Sequence, residues 1–181
     1  MRPGRSPRLF LASIMLGASL LAAGPAWTDP ASEAAVKAGV VYNLGKFVEW
    51  PPERFASANA PLTLCTVGNQ PLQGALALLQ GRNVQGHPIA LRNNPRGDEL
   101  RACHILYIDE TANDRLESLL AHVASSPVLT VSDIEAFADQ GGIVGLYQKD
   151  ERVQFTINLR AARQNGLKLS SHLLRLGKVL Q

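Results

Sequence analysis

The 181-residue chain carries 18 Lys and Arg, 15 Asp and Glu and four His, a formal net charge of +3. Three arginines and no acids fall within residues 1–26, so the remainder holds 15 residues of each sign. That balance, with no dense basic run interleaved with aromatics, gives no ground for nucleic-acid binding.

Arg2, Arg5 and Arg8 precede an apolar run from Leu9 to Leu21, and Gly24-Pro25-Ala26 follows with small residues. This is the pattern of an export signal over residues 1–26. The apolar run is well short of the roughly 20 residues of a spanning helix, the alternative reading. Residues 27–181 suffice for one domain with a full core. An exported chain with two cysteines, Cys65 and Cys103, points to one bridge, two buried free thiols being the alternative.

In chain order, Asp29-Pro30 reads as a helix start, and the helix is expected to run to about Glu49, where Pro51-Pro52 stop it. Val36, Val40, Val41, Leu44, Phe47 and Val48 fall on one arc of it. Lys37 shares that arc and pairs at i,i+4 spacing with Glu33. Trp50 is read as core packing. Leu62 to Val67 is apolar on both faces and is expected to be a central strand, with a turn at Gly68 and a helix over Pro71 to Leu79. Gly81 to Gly86 reads as turns, and Pro88 to Arg92 as a strand near a sheet edge. His104 to Ile108 is a second buried strand, beside the first, followed by a helix capped by Thr111 or Asn113. Val128 to Val131 is the next strand, and Ser132-Asp133 start a short helix that Gly141-Gly142 end. Ile143 to Tyr147 and Val153 to Leu159 form a hairpin around a long polar turn. A short helix from Ala161-Ala162 ends at Asn165-Gly166, and Leu169, Leu173, Leu176 and Val179 define a last helix. The sum is a single three-layer α/β domain, its sheet mostly parallel with a C-terminal antiparallel hairpin.

No catalytic constellation stands out. His87, His104, His122 and His172 lack metal-site spacing, and no nucleophile elbow or phosphate loop is present, so no metal or cofactor is expected. Asp109, Glu110 and Asp133 follow strands, where catalytic acids and helix caps both occur. Together with Gly68 they mark where an enzyme's pocket would open at the carboxyl ends of the strands. A late cluster of Arg152, Arg160, Arg163, Lys168, Arg175 and Lys178 could form a docking surface. A binding module fits better than an enzyme.

The late motifs, Val153 to Leu159, Ala161-Ala162-Arg163 and Gly166 to Leu176, resemble the YfiR family. So do Lys37-Ala38, Tyr42-Asn43, Lys46-Phe47 and Glu49-Trp50-Pro51 near the start, and the segments around Cys65 and Cys103. The resemblance spans nearly all of residues 27–181, which it identifies as a YfiR-like α/β domain. It implies a periplasmic, noncatalytic regulator that binds and restrains the sensor domain of an inner-membrane diguanylate cyclase. An outer-membrane lipoprotein that draws the regulator away, and a homodimer, are implied too. By similarity Cys65 and Cys103 form the family's structural disulfide; a second bridge found in some members has no cysteines here. Asn158, Arg160, Lys168, Ser170 and Arg175 are the candidate partner-binding residues. A small-ligand accessory protein of a kinase or transport system, and a small exported hydrolase-like enzyme, are the competing readings.

Overall fold

The structure, a computed structural model, describes residues 30–68, 72–150 and 152–181; the expected export signal and the Asp29 cap lie outside them. Helix α1 covers Pro30–Lys46. It ends earlier than its apolar arc suggests, because Val48–Glu49 becomes strand β1 and pairs antiparallel with Lys168–Leu169. The buried stripe of α1 is Ala34, Ala38, Val41 and Leu44, whereas Val36, expected on that stripe, is 51% exposed. Trp50 is buried, as expected, and a 3-10 helix follows over Pro52–Arg54.

Strand β2 (Leu62–Val67) is buried at five of its six positions. Helix α2 (Leu72–Ala77) follows. The turn-rich patch after it contains a two-residue strand, β3 (Asn83–Val84), which forms the sheet edge beside β4 (His87–Asn93). A 3-10 helix over Gly97–Ala102 leads into β5 (Ile105–Ile108). Asp109, rather than Thr111 or Asn113, caps the next turn: its carboxylate accepts from the Thr111 N–H of a 3-10 helix over Glu110–Arg115. Helix α3 (Leu116–Val123) and strand β6 (Leu129–Ser132) come next.

The helix expected after Ser132-Asp133 does not form. Consecutive turns take its place, with Ala136 at φ 54° interrupting any helical hydrogen-bond run. Gly142 is required here: a side chain at that position would collide with the Phe137 ring, which packs over it. Strands β7 (Val144–Lys149) and β8 (Arg152–Asn158) form the expected hairpin, but the turn is tight, since Lys149 pairs directly with Arg152. Helix α4 spans Leu159–Gln164. The expected last helix is instead strand β9 (Lys168–Leu169), helix α5 (Ser171–Leu176) and strand β10 (Lys178–Leu180).

The main sheet has the order β10-β8-β7-β6-β5-β2-β4-β3. Its interior, from β4 through β2, β5 and β6 to β7, is parallel; β7 with β8 and β4 with β3 are antiparallel. Alternation along the strands makes two cores. Leu62, Leu64, Ile105 and Tyr107 face the α1 and α2 side. Cys65, Val67, Leu106 and Ile108 face α3 and the 3-10 helix that precedes β5. The chain leaves β2 toward β4 and returns to β5 on the other side of β2. The carboxyl ends of β2 and β5 therefore form the switch point where α/β sheets open a crevice.

Cys65 and Cys103 are joined in a disulfide, with a Cα–Cα distance of 5.8 Å and a sequence separation of 38. The paired variant Cys65→Ala/Cys103→Ala should lose about 4 kcal/mol of stability by loop entropy, read as a lower urea midpoint. An unchanged midpoint would show that the bridge adds nothing to the fold.

Candidate functional site

The antiparallel pairing of β1 with β9 sets Glu49 to Pro52 against Gly166 and Lys168, and between them lies a cleft of ≈ 550 Å³. Its floor is an aromatic stack. Phe55 stacks on His87, with ring centroids 3.7 Å apart, and on His104, at 4.5 Å, nearly parallel to both. His87 Nδ1 donates to the Ala60 carbonyl (2.7 Å). His104 Nδ1 accepts from the Thr63 N–H (3.0 Å), so the ring carries its proton on Nε2. Burial, and then the Arg54 charge, lower its pKa to about 4, so it is neutral at physiological pH. Trp50 Nε1 donates to the His104 carbonyl, and Arg54 Nη2 donates to the Arg101 and Cys103 carbonyls. Glu49, Glu53 and Lys168 give the cleft charges of both signs.

A smaller crevice, ≈ 250 Å³, opens at the switch point. The expected i,i+4 pair is present there, with Lys37 Nζ 2.8 Å from Glu33 Oε1. Lys37 also reaches across the fold to Asp133 Oδ2 at 2.5 Å. Burial alone would lower the Lys37 pKa, but the hydrogen bonds and charges of Asp133 and Glu33 outweigh it and raise it. Gly68, at φ 117°, has no room for a side chain, which would sit 2.6 Å from the Asp109 Cβ. Asp109 Oδ1 accepts from the Thr111 N–H and hydroxyl. Ser132, the nearby hydroxyl, is committed to structure: Oγ donates to the Ile108 carbonyl and accepts from the Ile134 N–H. Among the described residues no three His, Cys, Asp or Glu are placed to hold a metal ion.

The YfiR/HmsC-like family matches residues 34–178 of this sequence. The chain belongs to the YfiR/HmsC-like family. Its fold is similar to the crystal structure of a conserved domain protein from Vibrio cholerae, at 12% identity and a TM-score of 0.50. That match covers 66% of this chain and 55% of the other, so this chain spans about half the length of that relative. No described helix is long and apolar enough to cross a membrane.

In this YfiR/HmsC-like chain the late-motif residues play different parts. Lys168 lines the larger cleft. Ser170 is half-buried beside it; its hydroxyl caps α5 by accepting from the Leu173 N–H, and its own N–H donates to the Phe47 carbonyl. Asn158 caps α4 through the Ala161 N–H and donates to the Ala138 carbonyl, a bond that ties the turns after β6 to β8. Arg160 is exposed beside the C-terminus, donating to the Gln181 carbonyl in a groove shared with Arg163. Arg175 is exposed in the last turn of α5. Sequence reasoning did not find Phe55 or its stack with His87 and His104. Only the parallel register of β2 with β4 and β5 brings these rings together.

His104 makes stability depend on pH. In the unfolded chain it titrates near 6.5, and in the fold near 4. As pH falls from 6.5 toward 4 the unfolded chain takes up a proton that the native chain does not, so stability drops and then levels off. The loss should be roughly 2 kcal/mol, discounted for residual solvent around the ring. His104→Asn, which keeps an acceptor for the Thr63 N–H, should flatten that slope in urea titrations at pH 7 and pH 4.5. An equal slope in both proteins would place the acid sensitivity elsewhere.

Proposed function

We propose that this chain is an exported, noncatalytic regulator. It binds the periplasmic sensor domain of an inner-membrane signalling protein, a diguanylate cyclase, and restrains it. The family match over residues 34–178 carries this reading. Two further features support it. The Cys65–Cys103 bridge suits an oxidising compartment such as the one that the signal-like residues 1–26 would address. The larger cleft offers a partner an aromatic floor within a rim of mixed charge, the composition of a recognition surface.

Restraint needs no chemistry. A protein that binds one conformation of the sensor more tightly than the other shifts the sensor toward it by that difference in affinity. A homodimer would present two such surfaces, and an outer-membrane lipoprotein that competes for the same surface would release the sensor. Lys168, on the cleft, and the exposed Arg160 and Arg175 are the residues we assign to the contact, with Asn158 capping the helix that carries Arg160 and Ser170 the one that carries Arg175.

The oxidised protein, tagged and mixed with detergent-solubilised inner membranes, should retain a diguanylate cyclase. Lys168→Glu should weaken that complex about tenfold without changing the melting temperature. Retention of a kinase or a transporter would overturn the cyclase assignment, and retention of no membrane protein would overturn the restraint reading.

A further inference from the structure

The charge of the chain is divided along its length. All 15 acidic residues precede Arg152, and Arg152, Arg160, Arg163, Lys168, Arg175 and Lys178 follow with no Asp or Glu among them. The fold gathers four of these cations at one edge of the main sheet. Strand β10 is the terminal strand there, paired with β8 on one side and, among the described residues, with no strand on the other. Arg175 lies in the last turn of α5, and Lys178 opens β10. At the far end of β10, roughly 10 Å away at the rise of an extended chain, Arg160 donates to the Gln181 carbonyl and shares a groove of ≈ 430 Å³ with Arg163. All four side chains are exposed.

The fold uses little of this charge. The ion pairs among the described residues lie elsewhere, at Lys37, Arg92 and Arg115. Of the four cations only Arg160 makes a side-chain hydrogen bond among the described residues. Charge on an edge strand keeps sheets from pairing edge to edge. Lys178 serves that purpose alone, whereas Arg160, Arg163 and Arg175 ride on the helices beside the strand. An apolar side chain accompanies them: Leu176, between Arg175 and Lys178, is 60% exposed. Cations that flank an exposed leucine have the makeup of a surface that meets a bilayer, where headgroup phosphates take the charges and the acyl boundary takes the apolar side chain. An acidic protein surface matches the cations; an anionic bilayer matches the cations and the leucine together.

We propose that the β10 edge is a peripheral docking surface for an anionic phospholipid bilayer. The guanidinium groups of Arg160, Arg163 and Arg175 donate to headgroup phosphates, Lys178 adds a point charge, and Leu176 enters the boundary between headgroups and acyl chains. The same bilayer repels the segment before Arg152, where the carboxylates lie, so the molecule is oriented as well as attracted. This deepens the regulatory reading and rests on it only for where the bilayer stands. A sensor domain anchored in the inner membrane stands beside lipid, and Arg160 and Arg175 then serve at the border of sensor and bilayer. Holding the regulator at that surface raises its effective concentration near the sensor.

The test is co-sedimentation of the exported, oxidised protein with vesicles of phosphatidylglycerol and phosphatidylcholine in equal parts, against vesicles of phosphatidylcholine alone. The vesicles contain no protein, so the outcome is independent of whether the partner is a cyclase. The expected result is binding to the anionic vesicles at about 50 mM salt that is largely lost at about 300 mM, and little binding to the zwitterionic ones. At about fivefold per cation, Arg163→Gln/Lys178→Gln should lower the partition at least tenfold. Leu176→Ser should lower it about threefold. These side chains are exposed, so the melting temperature should not change. Three outcomes would overturn the proposal: no binding to anionic vesicles, equal binding to both kinds, or binding unchanged in the double variant. So would binding to soluble polyglutamate that is as tight as to the vesicles and indifferent to Leu176→Ser, which would make an acidic polypeptide the occupant.

Discussion

The parallel pairing of β2 with β5, clasped by the Cys65–Cys103 bridge, is the constraint from which the rest of the molecule follows. Cys65 stands opposite Leu106 in the register, and Cys103 lies just before β5, so the bridge pins the entrance to that strand. The two residues at the entrance then serve as a hub. The Cys103 carbonyl holds Arg54. The His104 N–H donates to the Thr63 carbonyl, and the His104 carbonyl accepts from both Trp50 Nε1 and the Leu129 N–H. The walls of the larger cleft are therefore hung from the backbone that the disulfide fixes, and reducing the bridge would loosen the cleft as well as the core.

The same pair of strands places two distinct environments at its ends. At the amino end, Thr63 and His104 face the aromatic floor and a rim of mixed charge. At the carboxyl end, Gly68 and Asp109 open onto an acidic crevice. His104 immediately precedes β5, and Tyr107 lies on that strand three residues further on. The two ends differ in what they offer. A wide cleft with both signs of charge suits a protein surface, whereas the carboxylates of the narrow one are engaged by Lys37 and Thr111.

Much of this fold is legible because buried parallel strands have an unmistakable sequence form. Leu62 to Val67 and Ile105 to Ile108 are apolar on both faces and bounded by turn residues, and both formed where expected, as neighbours. The hairpin of β7 and β8 was legible from its alternation. The C-terminal segment misled for a physical reason. Leu169, Leu173 and Leu176 have helical spacing, yet Leu169 is taken by β1, and the chain must extend at Gly177, where a side chain would lie 2.5 Å from the Phe155 ring. Two-residue strands such as β1 and β3 carry too little pattern to be seen. The sites were less legible than the fold. Lys37 announces its local partner Glu33, but Asp133 lies 96 positions away and comes near only through the strand order. Asn158 and Ser170 stood out in the late motifs, and the structure shows the main-chain groups that each of them caps.

The central claim, that this protein acts by binding and restraining a membrane signalling enzyme, is tested most directly by reconstituting the cyclase in vesicles and measuring cyclic di-GMP synthesis. The oxidised protein would be titrated from the periplasmic side. The account predicts stoichiometric, saturable inhibition that is lost when the Cys65–Cys103 bridge is reduced. Synthesis that proceeds unchanged at saturating protein would contradict it.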